Sequence, residues 1–144
     1  MSYDFVPGLE GIPIAESGIS FVNGQEGILE YRGIRIQDLA AHSTFEGTAH
    51  LLLNGNAVTA PARDSLTCDL THHRRLKDKV LNVIKCFPES GHPMGALQAT
   101  VAALGMFYPA KDVSNESENY LSCIRLIAKL PTIVAAFERL RTGE

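Results

Sequence analysis

The chain lacks the common signatures of catalysis. No G-x-S-x-G elbow surrounds Ser43, Ser90 or Ser122, so a hydrolase nucleophile is not indicated. Gly24, Gly27 and Gly33 do not fall at the G-x-G-x-x-G spacing that cradles phosphates. Cysteine is scarce: Cys68, Cys86 and Cys123 are widely spaced, with no C-x-x-C. That excludes a disulfide scaffold and a cysteine-based metal site, and implies reduced, mostly buried thiols in a cytoplasmic protein. Basic excess is lacking too, with a net charge of -3 and a pI of about 5.9. A nucleic-acid partner, which needs a clustered basic face, is therefore not expected. The run Arg74, Arg75, Lys77, Lys79 is broken by Asp78 and reads as a solvated helix face. The start of the chain, MSYDFVPGLE, has neither the basic nor the apolar stretch of a signal peptide. Gly, Lys or Pro interrupts the longest apolar runs, so no membrane span or membrane partner is expected.

What is present is one globular domain's worth of chain. At 144 residues, 45% hydrophobic and 20% charged, it can bury roughly 70% of its unfolded surface. The first ten residues form a polar lead-in. Residues 11–32 read as a β-hairpin: β-forming residues flank Asn23-Gly24, the strongest short hairpin signal, which predicts positive φ at Gly24. Four helical regions follow, at 36–54, 61–87, 92–107 and 116–141. In the first, Ser43 to Glu46 fits a capping box and Gly55 a left-handed C-terminal residue. Thr59-Ala60-Pro61 opens the second, in which Leu76, Val80, Ile84 and Phe87 recur at helical spacing. The third is small or apolar at nearly every position from Met94 to Phe107, which predicts burial on all sides. The fourth carries Pro131 in its interior, which predicts a kink, and ends near Gly143. The fold class is mainly α with one small β element at the front.

The five histidines are the first candidates for chemistry. His42 and His50 have no Cys or carboxylate completing a ligand set, and His72-His73 point to different helix faces. His92, before Pro93 at a helix start, is expected to hydrogen-bond nearby backbone and fix the turn. Glu26 and Glu30 are better explained as the exposed face of a hairpin than as an acid–base pair. The residues offer no catalytic, cofactor-binding or metal-binding set.

Three stretches, in order, carry a resemblance. GILEYRGIRIQDLA with STFEGTAHLLLNG, residues 27–55, is similar to the amino-terminal region of bacterial-type citrate synthases. Glu89 to Met94 resembles that family's His-Pro-Met segment, and Arg125 to Ala136 its long kinked helix. The likeness runs from Gly8 to Gly143 and is poor between Thr59 and His73. The resemblance implies the front part of a helical large domain, without the small domain or the catalytic region. It also implies a parent enzyme that condenses acetyl-CoA with oxaloacetate to citrate and CoA, an acyltransferase acting as a homodimer or an assembly of dimers. The family's two catalytic histidines and aspartate come later in the chain, so none maps onto a position here, and the 144 residues alone are expected to be inactive and to bind no cofactor. A 2-methylcitrate synthase segment and a non-enzymatic self-association module are the alternatives. The helices matching 93–107 and 118–141 pack across the family's subunit dyad. Met94, Leu97, Val101, Leu104, Ile127, Leu130 and Ile133 are accordingly the expected homodimer-interface residues, with the remainder of the same subunit as a further partner.

Overall fold

The computed structural model describes residues 6–9, 11–13, 15–109 and 112–143; most of the expected lead-in, residues 1–5 and 10, lies outside them. The chain divides into two compact units, Met1–Arg63 and Asp64–Glu144.

The first unit holds a three-stranded antiparallel meander, β1 (Ser20–Asn23), β2 (Ile28–Tyr31) and β3 (Ile34–Arg35), then helices α1 (Ile36–His42) and α2 (Phe45–Asn54). The hairpin is shorter than the expected 11–32 and has an unforeseen third strand. Its turn chemistry also differs. Asn23 pairs with Ile28, so the Asn-Gly pair opens a four-residue connection rather than a two-residue turn. The Asn23 Oδ1 accepts from Gln25 N at 3.1 Å and Glu26 N at 3.2 Å, and positive φ falls on Gly27 (66°) instead of Gly24. The tight turn is Arg32-Gly33, with φ of 50° and 78° between paired Tyr31 and Ile34. Positive φ at both central residues gives the turn a twist matching the strands.

An arginine in the left-handed region carries a steric cost. It is held there by two bonds: Arg32 N donates to Ile19 O at 2.9 Å, and its guanidinium donates to Leu52 O at 2.9 Å. Leu52 lies in the last turn of α2, where free carbonyls and the helix dipole favour a cation. The α2 cap is offset by one residue from the expected box. Thr44, not Ser43, is the N-cap, accepting from Gly47 N at 3.1 Å, because Ser43 is the extended residue that ends α1. Gly55 closes α2 in the left-handed conformation, φ 77°, as its position implied.

The second unit is helical: most of α3 (Ala60–His73), then α4 (Asp78–Lys85), α5 (Pro93–Phe107) and α6 (Glu116–Thr142). The helical region expected at 61–87, weak to residue 72 and sharper from Arg74, is two helices with a break between His73 and Asp78. Leu76 turns inward there and is buried, while Lys77 is extended and starts α4. Leu76, Val80 and Ile84 of the α4 region meet Ala96 and Leu104 of α5 and Ile133 and Phe137 of α6 in one core. His92 caps α5, its Nδ1 accepting from Met94 N at 3.2 Å, and Pro93 fills the first helical position, as expected. Asn115 caps α6 through Ser117 N and Glu118 N. The helix runs on through Pro131 to Gly143 at φ 78°.

Two burial expectations fail. Cys68 and Cys86 are exposed and Cys123 is half-buried, all three free; Cys68 lies on the outer side of α3 and Cys86 just past the end of α4. Nor is α5 buried all round. Ala96, Thr100, Ala103 and Leu104 are buried, but Met94 and Met106 on the opposite side are 61% and 79% exposed. By length and composition α6 could cross a membrane. Its Ile124, Ala128, Lys129, Ile133 and Phe137 are instead buried within the protein.

The turn geometry gives a direct test. Gly27→Val forces a β-branched residue to positive φ and is expected to lower stability by about 1–2 kcal/mol. Gly24→Ala, at ordinary φ with open space around it, is expected to be nearly neutral. Urea midpoints of the two variants check this; equal midpoints would show that the positive φ is not at Gly27.

Candidate functional site

The second unit sets three of its cations around one aromatic ring. Tyr108 ends α5 in a non-helical conformation, so its ring leaves the helix and stands among three cations. Lys77 Nζ lies 4.3 Å, Arg125 Cζ 4.7 Å and Lys129 Nζ 5.4 Å from the ring centroid. Each such contact contributes on the order of 0.5–1 kcal/mol, more where water is excluded. Arg125 and Lys129 are one helical turn apart on α6, which places both over the same surface.

Lys129 is the centre of this group. It is 2% exposed, yet its ammonium is not left bare: it donates to His73 O and, at 2.8 Å, to Arg75 O. Those carbonyls belong to the last residue of α3 and to the break that follows it, where no helical partner can take them. Burial, then the neighbouring Arg125 and Lys77, hold the Lys129 pKa below the ordinary lysine value. Burial also lowers His73, reinforced by His72, Arg125 and Lys129 and opposed by Asp69. The His72 and His73 rings meet edge to face, centroids 4.9 Å apart. The Arg125 Nε is buried and has no hydrogen-bond partner among the described residues.

Beside the cluster runs a mostly apolar groove of about 270 Å³, lined by Val101, Leu104, Gly105, Tyr108, Ser122, Arg125 and Leu126. The arrangement is positive and apolar, with no nucleophile set against a base. Chemically it can seat backbone carbonyls, stack on an aromatic ring and present an apolar face.

The expected interface residues divide here. Met94 is exposed, and Leu97, Val101, Ile127 and Leu130 are half-buried. Leu104 and Ile133, at 5% and 1% exposure, belong to the chain's own core and offer a partner almost no surface. Sequence reading missed Tyr108, Lys77 and Lys129. The available signal was Lys129 itself, a charge set within the apolar run of α6. Glu26 and Glu30 do not form a pair: Glu26 accepts from the Asn23 amide at 3.2 Å and Glu30 faces Arg35 at 3.7 Å. Among the described residues no three His, Cys, Asp or Glu side chains gather into a metal-binding group.

Replacing Lys129 by methionine keeps the apolar stem and strands both carbonyls. The expected loss is about 1–3 kcal/mol, read as a lower urea midpoint. An unchanged midpoint would mean that water satisfies His73 O and Arg75 O equally well.

The family model described as the citrate synthase C-terminal domain matches residues 8–144. Citrate synthase of Synechocystis sp. is 45% identical over 139 residues, covering 96% of this chain and 35% of that protein. That of Acidithiobacillus ferridurans is 45% identical over 145 residues, covering 97% and 38%. Among solved structures, Pyrobaculum aerophilum citrate synthase aligns with a TM-score of 0.82 at 32% identity, over 94% of this chain and 36% of that one. A Thermoplasma acidophilum citrate synthase, solved with carboxymethyl coenzyme A and oxaloacetate, shares the fold at a TM-score of 0.89 and 22% identity, over 99% and 37%. The chain thus spans little more than a third of the length of these relatives. Helical architecture, three-stranded meander and matched residues lead to one conclusion: this chain belongs to the citrate synthase family.

Proposed function

We propose that the chain is the scaffold and dimerisation segment of a cytoplasmic citrate synthase, the front part of its large domain. The parent enzyme condenses acetyl-CoA with oxaloacetate to citrate and CoA, and the segment binds neither cofactor nor substrate by itself. The observation that carries this reading is 45% identity over nearly the whole chain to proteins named citrate synthase. Those names favour citrate synthase over 2-methylcitrate synthase and over a non-enzymatic association module. The chemistry agrees with a supporting role. Enolising a thioester needs a positioned acid and base, and the polar groups described above are engaged with backbone, aromatic rings or one another.

The test is release of free thiol from acetyl-CoA in the presence of oxaloacetate. The purified 144-residue chain is expected to give only background, and a longer natural polypeptide containing it to turn over. Turnover by a sample whose intact mass excludes any longer chain would overturn the reading.

The dimer reading rests on the exposed side of α5 and its neighbours on α6. Met94 and Met106 on α5, and Leu126 (39% exposed) and Val134 (48%) on α6, are large apolar side chains in water. Together with half-buried Leu97, Val101, Ile127 and Leu130 they form the kind of face that marks an interface, and one shared with an identical copy suits a twofold dimer. Light scattering is expected to give twice 15.6 kDa. Met94→Lys, at an exposed position, is expected to yield a folded monomer, and Val101→Asp either a monomer or an unfolded chain. A wild-type monomer at high concentration, or a Met94→Lys variant that still dimerises, would count against this face.

A further inference from the structure

The chain holds two Asn-Gly pairs, Asn23-Gly24 and Asn54-Gly55, and the structure treats them differently. In such pairs the glycine amide nitrogen can attack the asparagine side-chain carbon, because no Cβ shields the nitrogen. At Asn54 both reacting groups are tied down. Gly55 N donates to Leu51 O at 2.8 Å, and the Asn54 amide donates to His50 O at 3.2 Å. Attack there requires unwinding the end of α2. At Asn23 the nucleophile is free: the Gly24 N–H has no acceptor among the described residues, and Gly24 is exposed with open space around it. The electrophile is also polarised. Asn23 Oδ1 accepts from Gln25 N at 3.1 Å and from Glu26 N at 3.2 Å. Two backbone donors on this oxygen stabilise the negative charge that develops on it during attack, as an oxyanion hole does.

We propose that Asn23 is a site of spontaneous deamidation in the folded protein and that Asn54 is protected. The Gly24 nitrogen gives its proton to solvent base and forms a bond to the Asn23 Cγ. The Cγ–Nδ2 bond breaks as Nδ2 takes a proton from solvent, and ammonia leaves, giving a cyclic imide. Water then opens the imide at one of its two carbonyls, yielding aspartate or isoaspartate; no oxidant or reductant takes part. The product alters the loop. The Asn23 amide now donates to the Glu26 carboxylate at 3.2 Å; a carboxylate at 23 faces it with like charge instead. Isoaspartate also lengthens the backbone where Asn23 pairs with Ile28.

The experiment is peptide mapping after incubation of the full chain in mildly alkaline buffer, native and in concentrated urea. Mass spectrometry follows the exchange of an amide NH₂ for OH, and isoaspartyl methyltransferase labelling identifies the isomer. In the native chain Asn23 is expected to react at least about tenfold faster than Asn54, equivalent to about 1.4 kcal/mol in barrier. In urea the two rates are expected to converge. Asn23→Gln is expected to abolish the change in its peptide, and Gly24→Ala to slow it. An unmodified Asn23, equal native rates at the two sites, or a change that persists in Asn23→Gln would each overturn the proposal.

Discussion

A buried ammonium on two backbone carbonyls is the contact on which the helical unit depends. Between α3 and α4 the chain leaves helical geometry so that Leu76 can enter the core. That break frees carbonyls from helical pairing, and a buried polar group left unpaired costs about 1–3 kcal/mol. Lys129 reaches them from the middle of α6. A lysine buried without partners would lose its proton. Here the carbonyl oxygens and the face of Tyr108 stand in for water, while Arg125 and Lys77 oppose the charge. The segment between α3 and α4 is thus fixed to α6 by two directional bonds, with the surrounding apolar side chains adding area without direction.

The same unit explains why a citrate synthase segment can be nearly featureless chemically. The inward side of α5 and the matching side of α6 are occupied by the core, and Lys77, Arg125 and Lys129 are engaged around Tyr108. On the outer sides, Met94 and Met106 of α5 and Leu126 and Val134 of α6 are large apolar side chains left exposed.

The first unit is organised by a different device. A three-stranded meander this small has little stability alone. Arg32, at the tight turn, carries the sheet onto the end of α2 by donating to Leu52 O. The left-handed arginine and the helix's unpaired carbonyls are complementary: the turn presents a cation where the helix end favours one.

Local chemistry was legible from the sequence alone. The helical regions at 36–54, 92–107 and 116–141, the His92 cap, Gly55 and Gly143 at helix ends and the mainly α class follow from spacing and from residues whose preferences act within a few positions. The family followed from three ordered stretches. The tertiary structure decided the rest. It opened the expected Asn23-Gly24 turn into a four-residue connection, and it supplied the bonds to Ile19 and Leu52 that hold Arg32 at positive φ in the Arg32-Gly33 turn, where propensity disfavours an arginine. It split 61–87, because burying Leu76 outweighed helix continuity once Lys129 could take the freed carbonyls. It exposed one side of α5 that composition marked as interior, and it placed Leu104 and Ile133, which the resemblance assigned to an interface, in the chain's own core. Composition states which residues prefer to leave water; only packing states which face of a uniformly apolar helix succeeds.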